Sequence, residues 1–269
     1  MWKHFERFQD FEWLSDMYEK VVKRAAQFMV DYREEKTGLP LASYDPWEEH
    51  RGIFSYTCAT VYAGLLAAAN ISQALGHITH SKEYHDAADE VRQAILFHFY
   101  DDAAGRFVKK IKRRNGELTE KDLTPDASTM LLWRMGLLPP DDKRIISTMQ
   151  QLDEILRVRT DVGGHARYPN DNYQFTGQHS EQVPGNPWII TSLWVAQWKI
   201  AIAKSAEDLH EPLEALRWAA SKATPAGILP EQLHPFTGAH LSVSPLTWSH
   251  AVYVETFLMF LEKEKELRK

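Results

Sequence analysis

Helical periodicity runs through almost the whole chain, and the connections between the helical segments alternate between long and short. In residues 11–35 the apolar side chains Leu14, Met17, Tyr18, Val21, Val22, Ala25, Phe28 and Met29 recur every three or four positions. That spacing is the mark of one buried helix face. Gly38 and Pro40 then stop the helix. Residues 56–75 are apolar on almost every side, which predicts an inner helix packed on several faces and closed by Gly76. Ser81 reads as the N-cap of a helix over residues 82–99. Further helices are expected at 126–135, 141–158, 187–204, 207–222 and 245–266, with Pro187 and Pro245 in first turns that tolerate proline. The β signal is confined to Arg106-Phe107-Val108 and a partner strand beyond the Asn115-Gly116 turn. The expectation is an all-α chain of about eight helices with one small β-hairpin.

The long connections are residues 38–55, 100–124, 159–184 and 223–244, and the short ones are 76–80, 136–140 and 205–206. In a stack of antiparallel helices, alternate connections lie at opposite ends. All four long loops are therefore expected on one face, where long loops of compact domains usually carry function. No Gly/Ser-rich or Pro-rich linker suggests a domain boundary.

Composition removes several classes of function. With 31 Lys+Arg against 37 Asp+Glu, the net charge is −6. Nucleic-acid binding needs a clustered basic surface, and the dense basic run 109–114 is followed at once by Glu117, Glu120 and Asp122, as in a solvated hairpin. Nucleic acid is not an expected partner. No apolar run approaches the ~18 residues of a membrane span, so no membrane partner is expected either. The single cysteine, Cys58, rules out an intrachain disulfide framework and a multi-cysteine metal site. The histidines lack metal-ligand spacing, and no glycine-rich phosphate loop or G-x-S-x-G elbow is present. No metal and no cofactor are expected. Residues 1–5 lack the profile of a signal peptide, which reads as a cytoplasmic protein if Met1 is the true start.

The long loops carry the chemistry. The first holds Tyr44-Asp45-Pro46-Trp47-Glu48-Glu49-His50-Arg51, three carboxylates beside a tryptophan. An acidic helix cap paired with Arg51 would also account for it. The third holds Gly163-Gly164-His165-Ala166-Arg167-Tyr168-Pro169 and Asp171, followed by Gly185-Asn186-Pro187-Trp188. The fourth holds Gly227-Ile228-Leu229-Pro230-Glu231-Gln232, followed by Leu246-Thr247-Trp248-Ser249-His250. Indole faces stack on sugar C–H surfaces while carboxylates, amides and arginine bond hydroxyl groups, so this composition suits a polyhydroxylated ligand.

These blocks, in this order, resemble the glucoamylase-type family, glycoside hydrolase family 15. Tyr44-Asp45-Pro46-Trp47-Glu48-Glu49 is similar to its Y-D-L-W-E-E block, and Gly185 to Trp188 matches its G-N-P-W block. Glu231-Gln232, Thr237-Gly238 and Leu246-Thr247-Trp248-Ser249 match its final block. The resemblance implies an (α/α)6 toroid, incomplete here by about four helices on the periodicity count. It implies one catalytic domain over residues 1–269, equivalent to the later two-thirds of the family's domain. On this resemblance the W-P-R-D segment, the first helices and the N-terminal β-sandwich are expected to have no counterpart in residues 1–269. By the same resemblance, Glu48 is the general acid and Glu231 the general base of an inverting exo-hydrolase of α-glucosidic bonds in malto- or isomalto-oligosaccharides or starch-type glucans. Tyr44, Asp45, Trp47, Glu49, Arg167, Trp188 and Trp248 would bind the oligosaccharide. Trp47 and the flanking carboxylates are expected to desolvate Glu48 and keep its proton on. Two alternatives stay open: a trehalase-like specificity, or an inactive saccharide-binding fragment that needs a missing N-terminal part. A lyase or epimerase on a similar toroid is a weaker reading, since it calls for a His or Tyr pair. An open toroid edge, with Leu14, Val21 and Phe28 on its flank, is expected to promote association.

Overall fold

The computed structural model describes residues 1–114, 117–175 and 177–269, except for the side chain of Arg114. The chain forms two compact units, Met1–Leu123 with Leu132–Leu138, and Thr124–Leu131 with Pro139–Lys269. Helix dominates both, as the periodicity predicts.

In the first unit, α1 (Trp2–Phe8) precedes α2 (Phe11–Met17), which runs through a π-helical segment (Tyr18–Val22) into α3 (Lys23–Asp31). The Asp10 side chain caps α2 by accepting the Trp13 N–H at 3.0 Å. The core is the antiparallel pair α4 (Ser55–Ala74) and α5 (Ile78–Phe99). Both helices bury small side chains (Ala59, Ala68, Ala69; Ala87, Ala88, Ala94) together with large ones, Leu65 and Ile71 on α4 and Val91, Ile95 and Phe99 on α5. The second of these helices begins four residues before its predicted start. Gly76 takes a left-handed φ of +80° and the His77 N–H bonds Ser72 O, so the chain reverses at once and helix resumes at Ile78. Tyr18 stacks on His77 with ring centroids 4.6 Å apart and bonds His80 Nδ1 at 2.6 Å, which locks that turn. Ser81 therefore lies inside the helix and is not its cap.

The β-structure is richer than one hairpin. A four-stranded sheet has the order β1-β2-β5-β6, formed by β1 (Ser43–Tyr44), β2 (Arg51–Phe54), β5 (Lys110–Arg114) and β6 (Glu117–Asp122). Its pairs are antiparallel, with a register shift between Ile111 and Arg113. The Asn115-Gly116 turn lies outside the described residues, but the strand that pairs across it is β5 and not Arg106-Phe107-Val108. Arg106–Phe107 is β4, whose partner is β3 (Tyr100–Asp101). The basic run thus lies largely in a strand, where Lys112 pairs with Glu120 at 2.8 Å and Arg113 with Glu34.

The second unit is built around α7 (Ile189–Ile202), buried along most of its length. Packed near it are α6 (Lys143–Leu156), α8 (His210–Ser221), preceded by a 3-10 turn (Glu207–Leu209), and α9 (Thr247–Leu267). A buried polar seam ties α7 to α9, where Gln197 donates to Thr256 Oγ1 at 3.0 Å. A two-stranded ladder, β7 (Gln232–Leu233) with β8 (His240–Leu241), completes the unit. Pro187 and Pro245 precede their helices instead of entering the first turns, because Trp188 and Leu246 hold extended backbone at the caps. The helix expected over 126–135 is a short 3-10 segment, Ala127–Leu131. There Asp126 Oδ1 accepts both the N–H and the hydroxyl of Ser128, and Ser and Thr used in this way compete with α-helical bonding.

Pairing of the long loops is visible within each unit. In the first, β2 from the first loop pairs with β5 from the second. In the second, the third and fourth loops meet where Thr160 Oγ1 donates to Pro235 O and Tyr173 bonds Ser242 at 3.1 Å. Of the expected apolar flank, Leu14 is fully buried, while Val21 and Phe28 are 44% and 61% exposed. On α9, Val254, Phe257, Leu258 and Leu261 are also exposed. Among the described residues no helix is long and apolar enough to cross a membrane.

An ionic cluster around the buried His165 joins α6, α7 and the third loop, with Asp153 and Lys199 half-buried. Asp153 receives His165 Nε2 and Lys199 Nζ, each at 2.8 Å. Burial alone would raise the Asp153 pKa, but hydrogen bonds from His165 and Lys199 outweigh it and hold the carboxyl well below its ordinary range. Burial lowers the His165 pKa, against the opposing pull of Asp153. Among the described residues His165 Nδ1 has no hydrogen-bond partner, so a proton there would go unsatisfied. The unfolded chain takes up that proton at about pH 6.5 whereas the native state resists it, so stability falls as pH drops through this range. Denaturant unfolding from pH 8 to pH 5 should therefore show a loss of up to about 1.4 kcal/mol per pH unit, and His165→Gln, which keeps a donor toward Asp153, should flatten it. An unchanged slope in the variant would contradict this account. Gly164 gives a second prediction. Its φ is +92°, and a Cβ there would lie 2.8 Å from both Pro187 Cβ and Trp218 Cζ2. Gly164→Ala should lower unfolding free energy by about 2–4 kcal/mol, read as an earlier denaturation midpoint.

Candidate active site

In the first unit, the acidic block forms the loop between β1 and β2 and does not start a helix. Ser43 pairs with Gly52 and Tyr44 with Arg51, and the Asp45 N–H bonds His50 O at 3.0 Å. Pro46 occupies the second position of a turn closed by Glu48 N–H to Asp45 O at 3.1 Å, the place where its fixed φ is favourable. Asp45 is buried, and its Oδ1 accepts the N–H groups of Glu49 at 2.8 Å and His50 at 3.2 Å. Its carboxylate thus holds the loop from inside. Glu48 sits at the tip with a left-handed φ of 60°, a conformation that costs a non-glycine residue about 1 kcal/mol or more. Tyr44, Glu48 and Glu49 are exposed and Trp47 is half-buried. Glu48 is thus exposed at the tip of the turn although Trp47 beside it is half-buried.

In the second unit, three of the predicted residues converge. Single backbone bridges link Arg157 to His165, His165 to Trp188, and Trp188 to Gln232. Arg167 lies two residues beyond His165, and Glu231 immediately precedes Gln232. The Arg167 guanidinium is 2% exposed and meets Asp171, 1% exposed, in a fork, Nε to Oδ2 at 2.7 Å and Nη2 to Oδ1 at 2.8 Å. Such planar two-bond pairing is both strong and directional. Three rings surround the guanidinium, Tyr168, Tyr173 and Trp188, at 5.1, 5.2 and 4.8 Å from their centroids. The result is a rigid aromatic platform with hydroxyl and amide groups at its edge.

Glu231 is half-buried, and its backbone is held from two directions by Glu231 N–H to Val243 O at 2.9 Å and Ile189 N–H to Glu231 O at 3.3 Å. Ser249, in the first turn of α9, donates to Pro230 O at 2.7 Å, and the Leu229 N–H bonds His250 Nε2 at 3.1 Å. Trp248 stands beside them with its ring 5.7 Å from that of Trp194.

Four residues of the site stand outside the predicted set. Asp171 is signalled only by its spacing of four from Arg167. Tyr173 has no signal beyond its aromatic character. Asn186 and Gln232 belong to the blocks, but their mutual bond, Asn186 Nδ2 to Gln232 Oε1 at 2.7 Å, spans 46 positions. Gln232 Nε2 in turn donates to Glu231 Oε2 at 3.2 Å.

The family model described as Glycosyl hydrolases family 15 matches residues 14–258. An uncharacterised glycosyl hydrolase of Methanocaldococcus jannaschii is 30% identical over 221 residues, covering 78% of this chain and 33% of that protein. A glucoamylase of Clostridium sp. strain G0005 is 28% identical over 265 residues, covering 90% of this chain and 36% of the relative. The chain therefore spans about a third of the length of these curated relatives. Among solved structures, a bacterial glucoamylase complexed with acarbose superposes with a TM-score of 0.75 at 24% identity, over 92% of this chain and 38% of that one. That likeness extends the fold assignment to the glucoamylase (α/α)6 toroid, of which this chain represents a part. On the match across residues 14–258, the chain belongs to glycosyl hydrolases family 15.

Proposed function

We propose that this chain carries the acid, the base and the sugar-binding residues of an inverting, exo-acting α-glucoside hydrolase. The observation that carries the reading is the Arg167–Asp171 fork inside its aromatic frame, of which Trp188 is one backbone bridge away from Gln232, the neighbour of Glu231. Aromatic faces and a fixed guanidinium are suited to the C–H surface and hydroxyl groups of a glucosyl unit. Family membership and the two glucoamylases among the similar proteins support glucans of the malto- or isomalto-type as substrates.

In this mechanism Glu48 gives its proton to the glycosidic oxygen as the C–O bond breaks. Glu231 takes a proton from the water that attacks the opposite face of the sugar, so the anomeric configuration inverts. The two carboxyl groups must then stand about 6.5–9.5 Å apart to admit that water. Asp45 shapes the loop of Glu48. Tyr44, Trp47, Glu49, Arg167, Trp188 and Trp248 contact the oligosaccharide.

Exposed apolar side chains favour a second reading, in which the chain binds saccharide and completes its site only with a partner. Val254, Leu258 and Leu261 recur at helical spacing on the open face of α9, and Phe28 is exposed on α3. Such a stripe is suited to another helix. Polarimetry of maltose and isomaltose digests tests the first reading: β-glucose should appear, and Glu48→Gln and Glu231→Gln should each cut kcat by about 10²–10⁴-fold. Full activity in either variant would remove that residue from the mechanism. No turnover, with tryptophan fluorescence responding to glucose and sedimentation showing self-association, would select the second reading. Arg167→Lys replaces a planar fork by a point charge and should raise KM by about 10-fold or more.

A further inference from the structure

We infer that Asn186 is a positioning residue, whose buried amide aims Gln232 at Glu231 and at the same time holds the Tyr173 loop against Arg167. The inference builds on the roles proposed above for Glu231 and Arg167.

Asn186 is 1% exposed and Gln232 is fully buried. Asn186 Nδ2 faces three acceptors, Gln232 Oε1 at 2.7 Å, Gln174 O at 3.1 Å and Tyr173 O at 3.4 Å. Turning this amide over would set its oxygen against three others, so its orientation is dictated by chemistry. The same logic passes to Gln232. With Oε1 occupied by Asn186, its NH2 group must face Glu231, and Nε2 lies 3.2 Å from Glu231 Oε2. The relay therefore has one direction, from the Asn186 donor through the Gln232 carbonyl and amide to the Glu231 carboxylate. Among the described residues Glu231 Oε1 has no hydrogen-bond partner, which leaves that oxygen to meet a water.

Two further features indicate that the donor side of Asn186 is what the site requires. Its Oδ1 is buried with no partner among the described residues, a cost that an apolar side chain would not incur. One of the carbonyls it grips belongs to Gln174, whose φ is 57°, so the clamp stabilises a backbone that would otherwise relax. Tyr173, held by the same clamp, carries a ring over the Arg167 guanidinium and bonds Ser242. One amide thus sets the direction of the proposed base and the aromatic wall of the proposed sugar grip.

Side-chain amide NMR of the full chain tests this directly. In the unmodified protein the Gln232 NH2 resonances should shift as a carboxyl group titrates, and Glu231→Gln should abolish that shift. In Asn186→Ala, and in the milder Asn186→Ser, the Gln232 resonances should stop following Glu231 while the fold persists. With turnover on α-glucosides, the same two variants should lower kcat/KM by about 10²-fold, with kcat falling as well as KM rising. Gln232 resonances indifferent to Glu231 in the unmodified chain, or still coupled to it in a folded Asn186 variant, would overturn the inference. Coupling that behaves as expected in a chain without turnover would uphold the relay and count against the hydrolase reading alone.

Discussion

A ladder one residue wide organises the second unit. Arg157, His165, Trp188 and Gln232 come from four separate stretches, and each meets the next through a single backbone bridge. Every candidate group of this unit except Trp248 hangs close to a rung: Arg167 just beyond His165, Asn186 just before Trp188, Glu231 just before Gln232. Because side chains alternate across extended backbone, a slip of one position would turn these groups to the wrong side. Buried hydroxyls guard against such a slip. Thr191 donates to His165 O at 2.6 Å, and the His165 N–H bonds Ser192 Oγ at 2.9 Å, so the first turn of α7 grips the middle rung from behind.

Two ionic groups accompany the ladder, and they differ in kind. The Arg167–Asp171 fork faces a ring of aromatic side chains. Asp153, by contrast, gathers His165 and Lys199 between helices. Buried pairs of this sort contribute little net stability, since desolvation offsets their attraction, but they tolerate few alternative arrangements. Their value here is geometric. The histidine of one cluster and the arginine of the other are two residues apart, so both anchor the same stretch of the third loop.

The helices were legible because apolar residues either repeat at helical spacing on one face, as in α6, or run on almost every side, as in α4 and α7, and because Gly38 and Gly76 punctuate the pattern. The two-residue strands β1, β3, β7 and β8 were not, since so short a run has no periodicity to detect. The partner strand before the Asn115-Gly116 turn is hidden for a related reason: Phe107 and Val108 have the apolar character of a strand, while the strand that pairs with β6 is the charged β5, in which Lys112 pairs with Glu120 and Arg113 with Glu34. In the site, residue types were readable and their relations were not. Nothing in the sequence announces that Asn186 bonds Gln232, or that the Trp248 ring meets Trp194. The exposure of Glu48 was equally hidden, because it follows from a turn closed by Asp45 and not from the tryptophan next to it.

The fork between Arg167 and Asp171 also bears on selectivity. A cation already neutralised by its own carboxylate partner, and wrapped in tyrosine and tryptophan, presents polarity without a net countercharge. In the sugar-binding role proposed above, sugar phosphates and uronic acids would gain no ionic anchor from this neutralised pair, whereas an unmodified hexose would lose nothing. Discrimination against anionic carbohydrates would then need no repelling group, only the absence of an electrostatic reward.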